Sequence, residues 1–163
     1  MRRPGLVEKS GRCCNRFSWV VLAAMFLAGC AATSGRIGEW PIKGNIAGGG
    51  KVVVVRTSSF VGAANTYKVA LDGKELFYIG AGEHTDFLVP TGEHEITVKC
   101  FGGWSPTWKE DSKKFVSSAA AANYFKISPS IYCAEIMPIT ETEANALLRG
   151  SEFIDLSKPR NSN

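Results

Sequence analysis

Five cysteines are the residues of this chain best suited to covalent chemistry. They are Cys13, Cys14, Cys30, Cys100 and Cys133. A thiol can carry a lipid, form a disulfide or bind a metal, depending on its surroundings. No Cys-x-x-Cys pair occurs, so the spacing favours neither redox catalysis nor a metal site. Each cysteine therefore has to be interpreted from its neighbours.

Cys30 follows a segment with the pattern of a secretory leader. Residues 1–16 contain five basic residues and one acid, and the 13 residues from Phe17 to Gly29 are mostly apolar. This run is too short for a membrane-spanning helix, which needs about 20 apolar residues. The residues Leu27-Ala28-Gly29-Cys30 resemble the processing site of bacterial lipoproteins. The resemblance implies that residues 1–29 are a signal peptide, cut before Cys30, and that Cys30 is lipidated.

The same resemblance predicts where the mature protein works. Two or more acyl chains on Cys30 would hold it stably on a membrane, whereas one chain binds only marginally. Ala31 follows the cysteine, where an Asp would resemble an inner-membrane retention signal. We therefore expect the periplasmic face of the outer membrane. The alternative is an ordinary leader followed by a chance cysteine.

Charge argues against nucleic acid as a partner. The whole chain has 19 basic and 15 acidic residues, a formal net charge of +4. Removing the five basic residues and one acid of the leader leaves fourteen of each. The mature chain is therefore formally neutral, without the basic surplus that nucleic-acid binding requires.

Cys100 and Cys133 remain as an even pair in an oxidising compartment. Each lies in a predicted strand, so we expect a disulfide between them. The alternative is a pair of buried free thiols that pack as small hydrophobic groups.

The other polar residues do not form a recognisable catalytic set. His84 and His94 each follow a glutamate, but a metal site would need a third ligand, and we expect ordinary histidines at strand ends. Glu93 and Glu95 share the solvated face of a predicted strand. No Gly-x-Ser-x-Gly nucleophile elbow occurs. The sequence thus predicts no catalytic residues, no metal and no cofactor.

The loop predicted from Phe101 to Asp111 contains the best candidate binding residues. Trp104 and Trp108 stand on a Gly- and Pro-rich stretch, where indole rings can stack on sugars or anchor a protein partner. The alternative is that both rings fold back over the end of the domain.

The elements that would position these residues are short strands. Residues 31–50 are glycine-rich and predict a flexible tether after Cys30, with order beginning at Lys51. Alternating or β-branched runs separated by turn residues predict seven or eight strands over residues 51–156, with an Asp72-Gly73 hairpin turn. Thr140 and Glu143 fit the start of a short helix, and residues 157–163 predict a disordered tail. The fold expected is an all-β, Ig-like antiparallel β-sandwich with one C-terminal helix.

One resemblance covers roughly two-thirds of the chain. The stretch from Val53 to about Asp155 resembles small lipoprotein domains of unknown function with a PEGA-like appearance. The matching segments are 56–62, 69–74, 89–94, the strand around Tyr124-Phe125 and the closing helix; a glycine usual before that strand is replaced by Ala122-Asn123. These are turn and strand motifs, so the resemblance implies a fold and brings no catalytic residues.

The expected function is therefore a non-enzymatic binding or envelope-structural module, anchored to the membrane through Cys30. Its expected partner is an envelope protein or glycan. The alternative is an accessory subunit of an envelope assembly, with protein contacts made through the Trp104/Trp108 loop or a sheet edge. An envelope hydrolase is a third, weaker hypothesis.

Overall fold

The strands and the helix follow the hydrophobic pattern of the sequence. The computed structural model describes residues 34–40, 46, 48–60, 62–102, 105–130, 133–157 and 159. These residues are mostly β, with one short helix, as predicted. In the described part of the chain there are ten strands rather than seven or eight: β1 Gly35–Arg36, β2 Gly50–Arg56, β3 Tyr67–Leu71, β4 Lys74–Ile79, β5 Glu83–Val89, β6 Gly92–Gly102, β7 Ser105–Ser117, β8 Asn123–Pro129, β9 Ala134–Ile139 and β10 Glu152–Phe153. Helix α1 spans Glu141–Leu148.

The strands form two five-stranded sheets. The first has the order β1-β4-β3-β6-β7, and all of its pairings are antiparallel. The second has the order β10-β5-β2-β8-β9, in which β2 pairs with β8 and β10 pairs with β5 in parallel. The prediction of a purely antiparallel fold is therefore wrong for the second sheet. After β5, the chain passes through β6 and β7 of the first sheet before β8 pairs with β2. A connection of this length permits parallel pairing.

Both sheets contribute to one hydrophobic core. Alternate side chains of β2, β3, β6 and β8 point into it, as the period of two in a strand requires. Two edge-to-face ring pairs join the sheets: Phe77 with Phe87 at 5.8 Å between centroids, and Phe115 with Phe125 at 5.1 Å. The remaining valines of β2, Val53 and Val55, are also buried, and α1 packs against β2 and β8 on that side. β2 is thus covered on both faces.

Two local predictions are confirmed by the geometry. Asp72 and Gly73 have φ values of 49° and 76°, and Leu71 pairs with Lys74 across this two-residue turn. Thr140 caps α1, where its hydroxyl accepts a hydrogen bond from the Glu143 N–H at 3.2 Å. Both signals are local, so the short stretch of sequence was sufficient to specify them.

Residues expected in the tether and the tail take part in the fold. β1 pairs with β4, and the Ile37 N–H donates to the Leu76 carbonyl at 2.8 Å. Trp40 packs edge-to-face on Phe87 at 5.7 Å. Pro159 forms a bridge with Arg36. The prediction that order begins at Lys51 is wrong for residues 34–40, because β4 offers an edge and the core offers Trp40 a contact. Residues 1–33, including Cys30, lie outside the described residues.

The connection from β5 to β6 also differs from expectation. Pro90, Thr91 and Gly92 are residue types typical of a tight hairpin turn, but β5 belongs to the second sheet and β6 to the first, so the two strands are not paired. The segment therefore carries the chain across the core. His84 and His94 consequently lie on different sheets, rather than on one ladder.

Arg56 is a buried cation that organises the connection from β2 to β3. Its side chain is 1% exposed. The guanidinium donates hydrogen bonds to the carbonyl oxygens of Asn65 at 2.5 Å, Gly62 at 2.7 Å and Ile79 at 2.9 Å. It also lies 3.7 Å from the centroid of the Tyr67 ring. Burial lowers the pKa of Arg56, an effect opposed by Tyr67 and Glu83. The polar segment before Tyr67 is therefore held to the domain by one side chain.

Candidate binding surface

The stretch predicted as a loop from Phe101 to Asp111 is mostly strand. β6 and β7 pair continuously from Gly92 opposite Ser117 to Phe101 opposite Trp108, with an irregularity before Gly102. The loop prediction is therefore wrong for Phe101 and Gly102 and again from residue 105 onward, because pairing between β6 and β7 outweighs the Gly and Pro content. Trp108 lies on a strand, whereas Trp104 lies outside the described residues.

Phe101 and Trp108 form an exposed pair on the outer face of the first sheet. They stand directly opposite each other, with ring centroids 5.4 Å apart and planes tilted by 54°. Phe101 is 57% exposed and Trp108 is 51% exposed. We call these two residues, with Lys68 and Tyr78 beside them, the aromatic surface. Its rings are held by strands rather than by a mobile loop.

Lys68 fixes one side of the aromatic surface. Its ammonium lies 4.4 Å from the centroid of Trp108 and 5.6 Å from that of Tyr78, a cation–π arrangement. It also donates a hydrogen bond to Glu75 Oε1 at 2.9 Å, and its side chain is only 12% exposed. Burial lowers the pKa of Lys68, but the hydrogen bond to Glu75 and the interaction with Tyr78 outweigh it, so the pKa is raised. Lys68 therefore stays charged under the ring of Trp108.

The charges around the rings are paired. Glu75 neutralises Lys68, and Lys99 lies 3.4 Å from Glu110 beside the Phe101–Trp108 pair. The surface therefore combines apolar rings with polar groups of no net charge. Such a surface suits a ligand that has both C–H faces and hydroxyl groups. Exposed aromatic rings contact the C–H faces, and neighbouring polar side chains form hydrogen bonds with the hydroxyl groups.

A shallow groove lies elsewhere on the first sheet, around His94. It encloses about 400 Å³ and is lined by Asp72, Glu93, His94, Glu95, Lys114, Phe115 and Val116. His94 Nδ1 lies 2.8 Å from Asp72 Oδ2, and Nε2 lies 2.9 Å from the carbonyl oxygen of Pro90. Both partners can only accept hydrogen bonds, so the doubly protonated ring fits this position best.

The contacts of His94 make it a clamp that joins two segments of the chain, rather than a catalytic base. Burial lowers the pKa of His94, but the bonds to Asp72 and Pro90 outweigh it and raise the pKa overall. Asp72 Oδ1 also accepts the backbone N–H of Glu95 at 2.9 Å. The ring thus ties the β3–β4 turn to the β5–β6 connection, and Nε2 is occupied by a backbone carbonyl. A base needs a nitrogen that is free to accept a proton.

The structure also brings together a serine and a histidine that the sequence did not connect. Ser151 Oγ lies 2.8 Å from His84 Nδ1 and 3.2 Å from the Leu148 carbonyl oxygen. Burial lowers the pKa of His84, which keeps the ring neutral. Asp86, the acid two residues further along β5 on the same side of the strand, pairs instead with Lys51 at 2.7 Å. The serine therefore links the end of α1 to β5, without the oriented carboxylate of a hydrolytic triad.

Cys100 and Cys133 are joined as a disulfide, with Cα atoms 5.6 Å apart. Cys100 lies in β6 of the first sheet, and Cys133 immediately precedes β9 of the second. The bridge therefore links the two sheets. It also lies next to the aromatic surface, because Phe101 follows Cys100 on the opposite face of β6.

The two glutamates of β6, Glu93 and Glu95, share the solvated face of the strand, as predicted. Glu93 and Glu95 are on the outer face of β6, opposite Val116 and Lys114, while Ile96 and Val98 point into the core. Within the described residues, no group of three or more His, Cys, Asp or Glu side chains is placed to hold a metal ion. The same residues contain no helix long and apolar enough to span a bilayer.

Comparisons with protein-family models, with curated proteins and with solved structures found no match to this chain.

The residues that sequence reasoning missed are those that complete the aromatic surface. Lys68 and Tyr78 lie on β3 and β4, more than 20 positions before Phe101. Each stands between two buried neighbours of its strand and points outward, which was the available signal. Only the strand order β4-β3-β6-β7 brings them beside Trp108.

Proposed function

We propose that this chain is a lipid-anchored, non-enzymatic binding protein of the bacterial envelope, and that its β-domain binds envelope polysaccharide through the aromatic surface. The observation that carries the binding proposal is the exposed Phe101–Trp108 pair on a rigid sheet. Two aromatic rings side by side on an exposed sheet face form a contiguous apolar patch, and such patches mark interaction sites.

The anchor rests on the sequence. Leu27-Ala28-Gly29-Cys30 follows a basic and then an apolar segment, and this arrangement supports lipidation of Cys30. Ala31 favours the periplasmic face of the outer membrane. Two sheets around one core support an Ig-like sandwich. The PEGA-like relationship is proposed from the turn and strand motifs of the sequence. The protein would then work beside the cell wall, where polysaccharide is abundant.

A polysaccharide fits this surface better than a charged ligand. The lysines beside the rings are already paired with Glu75 and Glu110, so no free cation is offered to an anionic group there. Sugar rings present C–H groups on one face and hydroxyls at their edges. The C–H groups would stack on Trp108 and Phe101, and the hydroxyls would form hydrogen bonds with Lys68, Glu75 and Tyr78.

The test is co-sedimentation of the full, detergent-extracted protein with purified peptidoglycan sacculi. We expect the protein to pellet with the sacculi, and Trp108→Ala or Phe101→Ala to weaken binding about tenfold or more. The control is Phe153→Ala, which removes an aromatic ring of similar exposure (54%) from the other sheet. Binding that is absent in the wild type, or equally weakened by all three substitutions, would refute the proposal.

The second candidate is the accessory subunit that contacts a protein partner. It is favoured by the sheet edge at β7, a strand of 13 residues that ends the first sheet. Mild cross-linking in cells followed by purification distinguishes it. A specific protein lost with Trp108→Ala, together with no binding to sacculi, would support the subunit over the polysaccharide-binding protein.

A further inference from the structure

β7 is an edge strand whose side chains are arranged to pair with a second copy of itself. Within the described residues it ends the first sheet, with β6 on one side. Every second residue of β7 points to the outer face of the sheet, opposite an outward residue of β6. These residues are Trp108, Glu110, Ser112, Lys114 and Val116. A free edge presents backbone groups that a further strand can bond.

The charge order along β7 selects one register. In an antiparallel pair of identical strands related by a two-fold axis, the residue on the axis faces its own copy. Glu110, Asp111, Lys113 or Lys114 on the axis would each place like charges opposite each other. Ser112 is the uncharged residue at the centre of this run.

With Ser112 on the axis, the remaining residues become complementary. On the outer face, Glu110, which also pairs with Lys99 of its own sheet, lies opposite Lys114 of the second copy. On the inner face, Asp111 lies opposite the second copy's Lys113, and it also bonds Lys113 and the Ile136 N–H of its own chain. Both relationships occur twice by symmetry, which gives four pairs of opposite charge and none of like charge. Cross-strand pairs of opposite charge stabilise antiparallel strands, and like charges destabilise them.

The exposed apolar residues agree with the same register. Trp108 is 51% exposed and Val116 is 66% exposed, and both lie on β7. In the Ser112 register, Trp108 of each copy lies opposite Val116 of the other. Trp108 and Val116 therefore contact each other from the side at each end of the interface, while the sheet face above Trp108 stays open. The apolar pairing of Trp108 with Val116 is an observation independent of the charge pattern.

We propose that two copies of this chain pair through β7, in antiparallel register about Ser112, to form one continuous ten-stranded sheet. The inference does not depend on what the aromatic surface binds. If that surface binds polysaccharide, the dimer presents two such surfaces on one face, and a repeating polymer would be held by both.

The test is disulfide cross-linking of the full chain with cysteine placed on the outer face of β7. Ser112→Cys should give a covalent dimer under mild oxidation, because opposed residues in antiparallel strands have Cβ atoms about 5 Å apart. Glu110→Cys and Lys114→Cys are matched controls on the same face, since neither faces its own copy. A mixture of these two should cross-link, while each alone should remain at the wild-type level.

Charge reversal gives a second readout that requires no cysteine. Glu110→Lys and Lys114→Glu alone should each raise the dimer dissociation constant about tenfold in sedimentation equilibrium, and the combined variant should recover most of the loss. Thermal unfolding of each variant separates weaker pairing from misfolding. If Ser112→Cys does not fold, the Glu110→Cys and Lys114→Cys mixture tests the same register. A monomer at all concentrations, or efficient cross-linking of Lys114→Cys alone, would overturn the proposal.

Discussion

Replacement of Arg56 by Met should destabilise the domain more than any exposed substitution. The guanidinium makes three hydrogen bonds to backbone carbonyls and stacks on Tyr67, and it is almost completely buried. A hydrogen bond that involves a charged group contributes about 1.5–3 kcal/mol net. Met fills similar space and removes the cost of burying a charge, but it leaves the carbonyls without their donor. We expect the free energy of unfolding to fall by about 4 kcal/mol.

The assay is urea unfolding of the full chain, with the free energy of unfolding compared at equal slope. Arg56→Lys is the matched control, because it keeps the charge and loses the planar fork that reaches several carbonyls at once. It should lose about 2–3 kcal/mol, since one ammonium cannot reach all three oxygens. A loss below about 1 kcal/mol for Arg56→Met would refute the conclusion that Arg56 holds the β2–β3 connection.

Two further predictions concern pH and the disulfide. The pKa of His94 is raised in the folded state, so its stabilisation is present below the unfolded value of about 6.5 and is lost as pH rises through the folded pKa. The melting temperatures of wild type and His94→Gln should therefore differ more at pH 5.5 than at pH 8.5; an equal gap would contradict the clamp. His84 has a lowered pKa and is the internal control: its contribution is present above about 6.5 and is lost as pH falls through the folded pKa. Cys133→Ser should cost about 3–4 kcal/mol in the chain-entropy model, and a thiol count on the denatured, unreduced wild type should find Cys100 and Cys133 oxidised. Two free thiols would contradict the bridge.

The parts of the fold that were predictable are those specified by neighbouring residues. Asp72-Gly73 forms its hairpin because both residues accept positive φ, and α1 begins at the Thr140 cap. The four consecutive valines of β2 form a β-branched run of the kind that predicts a strand, and both faces of β2 are covered. In these cases a few adjacent residues determine the backbone geometry.

The parts that were not predictable depend on partners distant in sequence. The parallel pairing of β2 with β8 follows from how the chain crosses between sheets, which no local pattern encodes. β7 contains Pro106 and Trp108 after a Gly-Gly pair, a composition typical of loops, and becomes strand because β6 supplies its hydrogen bonds. The aromatic surface was only partly predictable for the same reason. Trp108 was identified from the sequence as a candidate binding residue, but Lys68 lies beside it only because of the strand order.

The most direct test of the functional account is the intact mass of the protein extracted from membranes, beside a Cys30→Ala version. The location on the envelope underlies the choice of polysaccharide as ligand, so this measurement comes before the binding assays. The account predicts a mass that fits Cys30–Asn163 with acyl chains on Cys30, and its loss in the variant. A protein that retains Met1, or that is recovered without lipid, would contradict the account.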